Sequence, residues 1–392
     1  MKNGNQRLAR LLPYPFAELN RVRDEALAQG VDVIDLGVGN PDLRPSPTVI
    51  EYFKQELDNP KVQNHRYPPF HGIREFRQAI ARWYKRRFNV DVDPDKEVLP
   101  LIGSKEGIAK FLLSHLDPGE VALIVSPCYP AYLGAARISD GILYELGLLE
   151  QNAFRPDLKA IPKDIASKAT LMLINYPHNP TGASETRELY EEILEFANRY
   201  DLIIMSDIAY AELSLDPDYR PMSFLEIPGA KERCIEFYSF SKTYSMAGWR
   251  LGSAAGNAML VQNLLKVKTN MDFGVFMAMQ RAGARILDEG EKLITPTREI
   301  YAKRRDVVLK GLEKIGMRAI RPKATLYVWA AVPKRFESSA EFCSQLLKKT
   351  GVVLAPGSGF GKYGEGYVRI SLIESEKRLE EAIDRIGKSG LL

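Results

Sequence analysis

The sequence predicts an α/β fold in which a mostly parallel sheet lies between helices, with a smaller α+β domain beside it. Three runs of residues, 121–126, 170–176 and 202–207, are apolar throughout, as expected of strands buried on both faces of a parallel sheet. Helical candidates lie between and around them, over 104–115 and 186–199, the second with clear amphipathic spacing. This alternation is typical of parallel strands joined by right-handed helical crossovers.

The C-terminal third of the chain predicts a second, smaller domain in which strands and helices are mixed. Strand-like and helical segments follow one another there over 296–315, 325–331, 339–350, 352–355, 367–372 and 375–388. We expect residues 1–45 and 286–392 to form this domain, and residues 46–285 to form the large domain with the parallel sheet. A length of 392 residues agrees with a division, because one hydrophobic core rarely serves so long a chain.

Composition places the chain among globular proteins of the cytoplasm. Hydrophobic residues make up 45% and charged residues 27%, a balance that excludes a disordered chain. The net charge of +4 is small and evenly spread, which argues against a nucleic-acid or membrane surface. No apolar run approaches the ~18 residues that span a bilayer, and the start of the chain lacks a signal peptide pattern. The 3 cysteines are isolated from one another, as in a reduced protein.

Several motifs that would indicate other chemistry are incomplete. The 4 histidines are scattered and none forms a metal-ligand pair, so we expect no metal site. The glycine-rich segment PGSGFGKYG lacks the strand–turn–helix setting of a phosphate loop.

The segment 239–250, SFSKTYSMAGWR, places a lysine among small hydroxyl residues directly after the strand-like run CIEFY. Lys242 could form a Schiff base with an aldehyde, while Ser239, Ser241 and Arg250 gather around a phosphate group. Pyridoxal phosphate carries both of these groups. The alternative interpretation of the segment is a basic loop with a lysine on the surface.

Two further motifs end neighbouring strands of the predicted sheet. Asn179, in NYPHNPTG, follows the run 170–176, and Asp207 ends the run 202–207 with Tyr210 three residues later. Ligands of open α/β sheets bind at this carboxyl edge. A buried carboxylate needs a cationic partner, which a protonated pyridine nitrogen would provide. Asn179 and Tyr210 could both donate hydrogen bonds to the phenolate oxygen of the same ring.

Together the motifs NPTG, D-x-x-Y and S-x-S-K, with an arginine eight residues after the lysine, resemble the fold-type I, class I and II pyridoxal-phosphate aminotransferases. The similarity covers essentially the whole chain, including IDLGVGNPD, LIGSKEGIA, PKATLYVWAAVP and PGSGFGKYGEGYVRISL. Within this family GSKEGI, INYPHNPTGA and GEGYVRISL are most similar to LL-diaminopimelate aminotransferases. The resemblance implies ping-pong, Schiff-base transfer of an amino group between an amino acid and a 2-oxo acid. LL-2,6-Diaminopimelate and 2-oxoglutarate, a pair from lysine biosynthesis, are the expected substrates.

The resemblance also implies a role for each site residue. Lys242 would be the Schiff-base lysine and the base that moves the proton, and Asp207 would keep the pyridine nitrogen protonated. Tyr210 and Asn179 would hold the ring oxygen. Other cofactor contacts would come from Ser104, Lys105, Tyr129, Ser239, Ser241 and Arg250, and substrate contacts from Tyr14, Gly39, Lys105, Tyr129, Asn179 and Arg369. Tyr67 and Asn270 would reach the site of the other subunit, so we expect a homodimer with shared sites.

One departure from the family pattern leaves other substrates open. Phe70 stands where the better-known diaminopimelate enzymes carry a glutamate that recognises the far amino group of the substrate. A broad-range aspartate, alanine or aromatic aminotransferase is therefore an alternative, and a pyridoxal-phosphate-dependent β-lyase or decarboxylase is a more distant one. A DNA-binding regulator built on this fold is disfavoured, because only residues 1–30 precede the segment VDVIDLG and the net charge is weak.

Overall fold

The computed structural model describes residues 4, 6–11 and 16–392 of the chain, with backbone alone at residues 6 and 7. In these ranges the strands are β1 (Ile34–Asp35), β2 (Val98–Leu101), β3 (Val121–Ser126), β4 (Ile142–Gly147), β5 (Ala169–Asn175), β6 (Ile203–Asp207), β7 (Cys234–Ser239), β8 (Gly252–Gly256), β9 (Ala319–Ile320), β10 (Tyr327–Ala331), β11 (Val352–Val353), β12 (Ala355–Pro356) and β13 (Tyr367–Ser371).

The helices of the same ranges are α1 (Gln6–Ala9), α2 (Ala17–Ala28), α3 (Pro47–Leu57), α4 (Arg74–Phe88), α5 (Ser104–His115), α6 (Pro130–Ile138), α7 (Lys163–Ala166), α8 (Arg187–Tyr200), α9 (Phe240–Thr243), α10 (Ala258–Thr269), α11 (Met277–Glu289), α12 (Glu291–Lys314), α13 (Ser339–Thr350) and α14 (Glu376–Lys388). Among these described helices, none combines the length and the apolar character that crossing a membrane requires.

Seven strands form the central sheet, in the order β2-β8-β7-β6-β5-β3-β4. Only β8 runs against its neighbours, and the other pairs are parallel. β3, β5 and β6 are almost entirely buried, which explains why their sequences are apolar runs and do not alternate with polar residues. Asn175 lies opposite Asp207 in the register, so the polar ends of β5 and β6 meet at one edge.

Helices cover both faces of the central sheet. α3, α4 and α11 pack together on the face toward which Leu123 and Val125 point, and Trp83 of α4 belongs to that core. α5, α6 and α10 pack on the opposite face, toward which Ala122 and Ile124 point. Since successive residues of a strand point to opposite faces, β3 contributes to both cores. The predicted layering, a mostly parallel sheet between helices, is confirmed.

A second, antiparallel sheet has the order β12-β13-β10-β9 and packs against α12, α13 and α14. Arg369 of β13 lies opposite Trp329 of β10. β1, near the start of the chain, pairs in parallel with β11, where Ile34 lies opposite Val352. The N-terminal segment therefore joins the C-terminal third of the chain in space.

Two predicted elements differ from the structure. The helix predicted over 296–315 begins earlier, at Glu291, so that Pro296 lies inside α12. A proline at this position removes the hydrogen bond that its own N–H would have made and crowds the carbonyl of Lys292, but it disturbs only the first turns of a helix of 24 residues. The strand predicted over 352–355 divides into β11 and β12, which pair with different partners.

Candidate active site

The carboxyl ends of β5, β6 and β7 open into a cavity of about 290 Å³. Its walls come from the central sheet, from β10 and β13 of the antiparallel sheet, and from the N-terminal segment. Most of the residues that the sequence predicts for the site line this cavity, namely Gly39, Ser104, Lys105, Tyr129, Asn179, Asp207, Tyr210, Ser239, Ser241, Lys242, Arg250 and Arg369. Motifs scattered over more than three hundred residues of sequence therefore lie around one space.

Asp207 ends β6 as a buried carboxylate with 5% of its surface exposed. Burial raises the pKa of Asp207 to about 6, although hydrogen bonds from Tyr132 and from the Ala209 N–H, and the positive charge of Lys242, act in the opposite direction. The Tyr132 hydroxyl donates to one carboxylate oxygen at 2.6 Å, and the Ala209 N–H donates to the other at 3.1 Å. Within the described part of the chain, Asp207 makes no salt bridge.

Lys242 lies in α9, the short helix that follows β7. The Ser239 hydroxyl accepts a hydrogen bond from the Ser241 N–H at 3.3 Å and so caps α9 at its start. The Lys242 ammonium is partly buried and donates to the Gly39 carbonyl oxygen at 2.5 Å. The Lys242 amine therefore lies at the cavity and also contacts the N-terminal segment.

The start of α5 and the side chain of Arg250 form a group of hydrogen-bond donors at one end of the cavity. Gly103 precedes α5 with φ +75°, and a Cβ there would collide with the Arg250 guanidinium. A Cβ at Gly252 would lie 2.9 Å from the Ser104 nitrogen. The two glycines therefore permit this close approach. Free N–H groups at a helix start, beside hydroxyls and a guanidinium, are suited to binding a phosphate.

Arg369 is a buried cation without a carboxylate partner among the described residues. Its guanidinium donates to the Asn179 side-chain oxygen and to the Gly37 carbonyl oxygen, both at 2.9 Å. Its Nε is buried without a hydrogen-bond partner. The guanidinium lies between the rings of Tyr327 and Phe360, with its carbon 4.1 and 4.6 Å from their centroids. A planar cation held in this way presents its remaining donors to an anion.

Among the polar residues of the cavity that were not predicted from the sequence, three make hydrogen bonds to predicted ones. Tyr132 of α6 bonds to Asp207, and the Tyr327 hydroxyl lies 3.2 Å from the Tyr210 hydroxyl. Asn175 donates to the Asp207 carbonyl oxygen at 2.7 Å and accepts from the Asn179 N–H at 3.0 Å, so it ties the two strand ends together. Tyr132 could have been found from its position one helical turn after Tyr129.

Two predicted residues do not line the cavity, and a third lies outside the described part of the chain. The Tyr67 side chain is exposed to 77% and packs on Phe273, with ring centroids 4.4 Å apart. Asn270 is exposed, and its amide donates to the Lys266 carbonyl oxygen at 2.8 Å. Tyr14 lies outside the described residues.

The donors and acceptors around the cavity fit pyridoxal phosphate. The helix start with Ser239, Ser241 and Arg250 fits the phosphate, and the buried Asp207 carboxylate fits a protonated ring nitrogen. Lys242 fits the aldehyde. Arg369, a cation of the cavity wall without a carboxylate partner among the described residues, fits the carboxylate of an amino acid.

Fold and site together define a class of protein. Residues 31–386 match the model of the family described as aminotransferase class I and II, and the chain belongs to this family. It is therefore a pyridoxal-phosphate-dependent aminotransferase that acts on amino acids and 2-oxo acids, as the motifs predict. This assignment favours amino-group transfer over the lyase, decarboxylase and regulator alternatives.

Individual members of this family are similar to the chain over nearly its whole length. The chain is 50% identical over 382 residues to an LL-diaminopimelate aminotransferase of Maridesulfovibrio salexigens, covering 97% of this chain and 98% of that protein. It is 49% identical, with the same coverage, to an LL-diaminopimelate aminotransferase of Aquifex aeolicus. Among solved structures it is similar to apo-BacF from Bacillus subtilis, with a TM-score of 0.95, 36% identity and coverage of 100% and 99%. A mutant aspartate aminotransferase of Thermus thermophilus has a TM-score of 0.93, 27% identity and coverage of 99% and 100%.

Proposed function

We propose that this enzyme transfers an amino group between LL-2,6-diaminopimelate and 2-oxoglutarate, in lysine biosynthesis. The observation that carries the proposal is that the cavity has two cations, Arg369 and Lys105, besides Lys242 and Arg250, which are proposed to bind the cofactor. Neither Arg369 nor Lys105 has a carboxylate partner among the described residues. Both substrates carry two carboxylates, so each can engage both cations. Relatives that are about half identical over nearly their whole length are named for diaminopimelate, which supports the same substrate.

The phosphate end of the cofactor is held by donors from two elements. The backbone N–H groups of Ser104 and Lys105 at the start of α5 bind phosphate oxygens with the help of the helix dipole. The hydroxyls of Ser239 and Ser241 and the Arg250 guanidinium complete the set. Tyr129 covers the face of the ring.

The ring end is held by the neighbouring strands. Bound pyridoxal phosphate supplies an aldehyde for amines and a ring that withdraws electrons from the substrate Cα. Asp207 would keep a proton on the ring nitrogen, and the hydroxyl of Tyr210 and the amide of Asn179 would donate to the ring oxygen. The Lys242 amine would bind the aldehyde and would serve as the base for the proton on the substrate Cα.

The substrate is oriented by cations and backbone at the cavity wall. Arg369 binds the α-carboxylate, and Asn179 helps to hold the guanidinium in place through their hydrogen bond. Gly39 brings backbone close to that carboxylate. The Lys105 ammonium, on an exposed side chain that lines the same cavity, binds the second carboxylate. Tyr14 is a further candidate for a substrate contact.

The working molecule is, on this proposal, a cytoplasmic homodimer with shared sites. Tyr67 and Asn270 lie outside the cavity of their own chain and are exposed, as residues that serve a partner subunit would be. We also propose the division into a large domain of residues 46–285 and a small domain of residues 1–45 and 286–392. The pairing of β1 with β11 supports that division.

The substrate is tested by a half-reaction panel. Each amino acid is added to the cofactor-loaded enzyme, and the loss of visible absorbance is followed. LL-2,6-Diaminopimelate and glutamate should react fastest, because they are the amino-group donors of the proposed reaction in its two directions. Lys105→Gln should lower kcat/KM about 10-fold for these two, the effect of losing one hydrogen bond to a charged group, and leave alanine unchanged.

The matched control is Lys334→Gln, which changes an exposed lysine outside the cavity. A preference for aspartate, alanine or an aromatic amino acid over diaminopimelate would contradict the proposed substrate. Phe70, which has no hydrogen-bond acceptor in its side chain, makes the broad-range activity the competing outcome. Such a result would leave the assignment to the aminotransferase family unchanged.

A further inference from the structure

Tyr327 lies among the polar groups of the cavity, although no role is predicted for it from the sequence. It is 2% exposed, and its hydroxyl lies 3.2 Å from that of Tyr210. A Cβ at Gly39 would collide with the same hydroxyl, so the N-terminal segment packs against it closely. The Arg369 guanidinium lies over its ring at 4.1 Å. Tyr327 therefore contacts residues proposed to bind the cofactor and the substrate.

The two hydroxyls cannot both keep their present roles when Tyr210 binds the cofactor. A phenol has a single hydrogen to donate, and that hydrogen can rotate. In the structure the Tyr210 hydroxyl donates to Tyr327. If Tyr210 donates to the ring oxygen, its hydrogen is no longer available to Tyr327. Both hydrogen bonds then exist only if Tyr327 donates and the Tyr210 oxygen accepts.

The charges around Tyr327 favour it as the donor. Burial raises the pKa of Tyr327, whereas the positive charges of Lys242 and Arg369, and the hydrogen bond that Tyr210 donates in this structure, lower it below its ordinary value. The Arg369 charge lies beside Tyr327 whichever hydroxyl donates, so it is the part of this effect that favours Tyr327 as the donor. Burial and the neighbouring Tyr327 raise the pKa of Tyr210 well above its ordinary value. The titratable and charged groups that face Tyr327 are Tyr210, Lys242, Arg369 and, from α12, Tyr301. The more acidic of two phenols is the better donor.

We propose that Tyr327 is a positioning residue, which donates to the Tyr210 hydroxyl and thereby directs that hydroxyl at the ring oxygen of the cofactor. This inference rests on the role of Tyr210 in the proposed function. A hydroxyl that itself accepts a hydrogen bond is a stronger donor, because neighbouring hydrogen bonds polarise one another. Tyr327 therefore helps to set the pH at which the cofactor bound to Lys242 loses its proton.

The test is Tyr327→Phe in the cofactor-loaded enzyme, with visible absorbance followed against pH. Weaker donation leaves more negative charge on the ring oxygen, which holds the proton more tightly. The pH at the midpoint of the absorbance change should rise by about 0.5–1 unit, which corresponds to one hydrogen bond of ordinary strength. Tyr301→Phe is the matched control, since it removes a buried hydroxyl without a hydrogen-bond partner from the same region and should leave the midpoint unchanged.

A double variant separates positioning from a general structural effect. Tyr210→Phe should itself raise the midpoint, and Tyr327→Phe should add nothing in that background. Alkaline titration of the tyrosines in the chain without added cofactor is a second readout: Tyr327→Phe should remove the most acidic buried phenol, and Tyr301→Phe should keep it. The inference is overturned if Tyr327→Phe keeps the wild-type midpoint while Tyr210→Phe shifts it. If Lys242→Ala kept the visible absorbance of the wild-type enzyme, the proposed function would instead be contradicted.

Discussion

The charge on Asp207 depends strongly on one hydroxyl, that of Tyr132. Burial raises the pKa of this carboxyl to about 6, and the hydrogen bond from Tyr132 is the largest influence in the opposite direction. The proposed partner of Asp207 is a protonated ring nitrogen, which needs the ionised carboxylate. That form is present above pH 6 and is lost as the pH falls through this value. Affinity for the cofactor should therefore weaken below about pH 6.

Tyr132→Phe should weaken cofactor binding and move its pH dependence. The variant leaves a buried carboxylate oxygen without its donor, which costs about 1.5–3 kcal/mol, or roughly 10- to 100-fold in the dissociation constant. Loss of the donor also raises the pKa of Asp207, so the fall in cofactor affinity at low pH (the acid limb) should move to higher pH. The dissociation constant of the cofactor, measured between pH 5 and 8, gives both effects.

Tyr176→Phe is the matched control for this variant. Tyr176 is also fully buried, and its hydroxyl donates to the Phe154 carbonyl oxygen at 3.2 Å, outside the cavity. It should bind the cofactor as the wild-type enzyme does, with the same acid limb. Equal weakening in both variants would mean that Tyr132 acts only through general stability.

Site residues are predictable from the sequence where they lie at the end of a strand or helix, because the end of the element fixes the position of the side chain. Asp207 is the last residue of β6, and Asn179 and Lys242 come within four residues of the ends of β5 and β7. Their place at the edge of the sheet therefore follows from the strand ends. Tyr132 lies one helical turn after Tyr129, and this spacing could have revealed it. Tyr327 begins β10, and the way it faces depends on the register of that strand, which the sequence alone does not reveal.

At the scale of elements, the connection from β2 to α5 is built for close approach. Gly103 adopts φ +75°, a conformation that residues with a side chain rarely take, and Arg250 fills the space where a Cβ would be. Gly252 of β8 approaches the Ser104 nitrogen from the neighbouring strand. The start of α5 is thereby placed beside the guanidinium.

Gly103→Ala should lower cofactor affinity by more than its effect on folding explains. The methyl group meets Arg250 and displaces it from the proposed phosphate site, so we expect at least a 10-fold rise in the dissociation constant, as for loss of one charged hydrogen bond. Left-handed backbone at a non-glycine residue costs about 1–3 kcal/mol of stability in addition. Binding titration and thermal unfolding measure the two effects separately.

Gly119→Ala isolates the backbone cost in that comparison. Gly119 has φ +89° and nothing within 4 Å of a Cβ, so its substitution strains the backbone without a collision. It should lose stability and keep wild-type affinity for the cofactor. If Gly103→Ala bound the cofactor as tightly as Gly119→Ala, the proposed phosphate site would be misplaced.

Long elements were predictable from the sequence, and very short ones were not. β3 and α5 are long enough for periodicity to define them. β9, β11 and β12 have two residues each, and their pairing is set by distant strands. A strand of two residues is too short to show a periodic pattern of apolar residues, so the sequence predicts a single strand over 352–355.

For the whole molecule, the cavity exists only because the ends of the chain return to the central sheet. The Lys242 ammonium contacts the Gly39 carbonyl, and the Arg369 guanidinium contacts the Gly37 carbonyl. These residues are separated by more than two hundred positions in the sequence. Composition and periodicity do not reveal such pairings. The resemblance to a known family predicted that Gly39, Lys242 and Arg369 share one site, but it did not predict these two contacts.

An exposed aromatic patch suggests how a second copy of the chain would bind. Tyr67, Phe70, Met271 and Phe273 are exposed to 77%, 42%, 56% and 53%. Tyr67 and Phe70 both pack on Phe273. Apolar clusters of this kind on a surface are characteristic of interfaces. The patch contains one residue proposed for the partner's site, Tyr67, and adjoins the other, Asn270.

Mixed dimers test the shared site directly. Lys242→Ala removes the reactive amine of its own site, and the double variant Tyr67→Ala/Asn270→Ala removes both contacts proposed to reach the partner's site. Each protein alone should be nearly inactive, the first without lysine-dependent absorbance and the second with weakened cofactor binding. After unfolding and refolding together at equal amounts, half of the dimers should be mixed, and each should contain one complete site. Activity should therefore recover to roughly one quarter of the wild-type value, which follows from random pairing in a two-fold dimer. If Tyr67 and Asn270 served their own chain, both sites of every mixed dimer would be defective and no activity would return.

The control is a mixture of wild-type enzyme with Lys242→Ala, refolded in the same way. It gives the yield of refolding against which the recovered activity is judged.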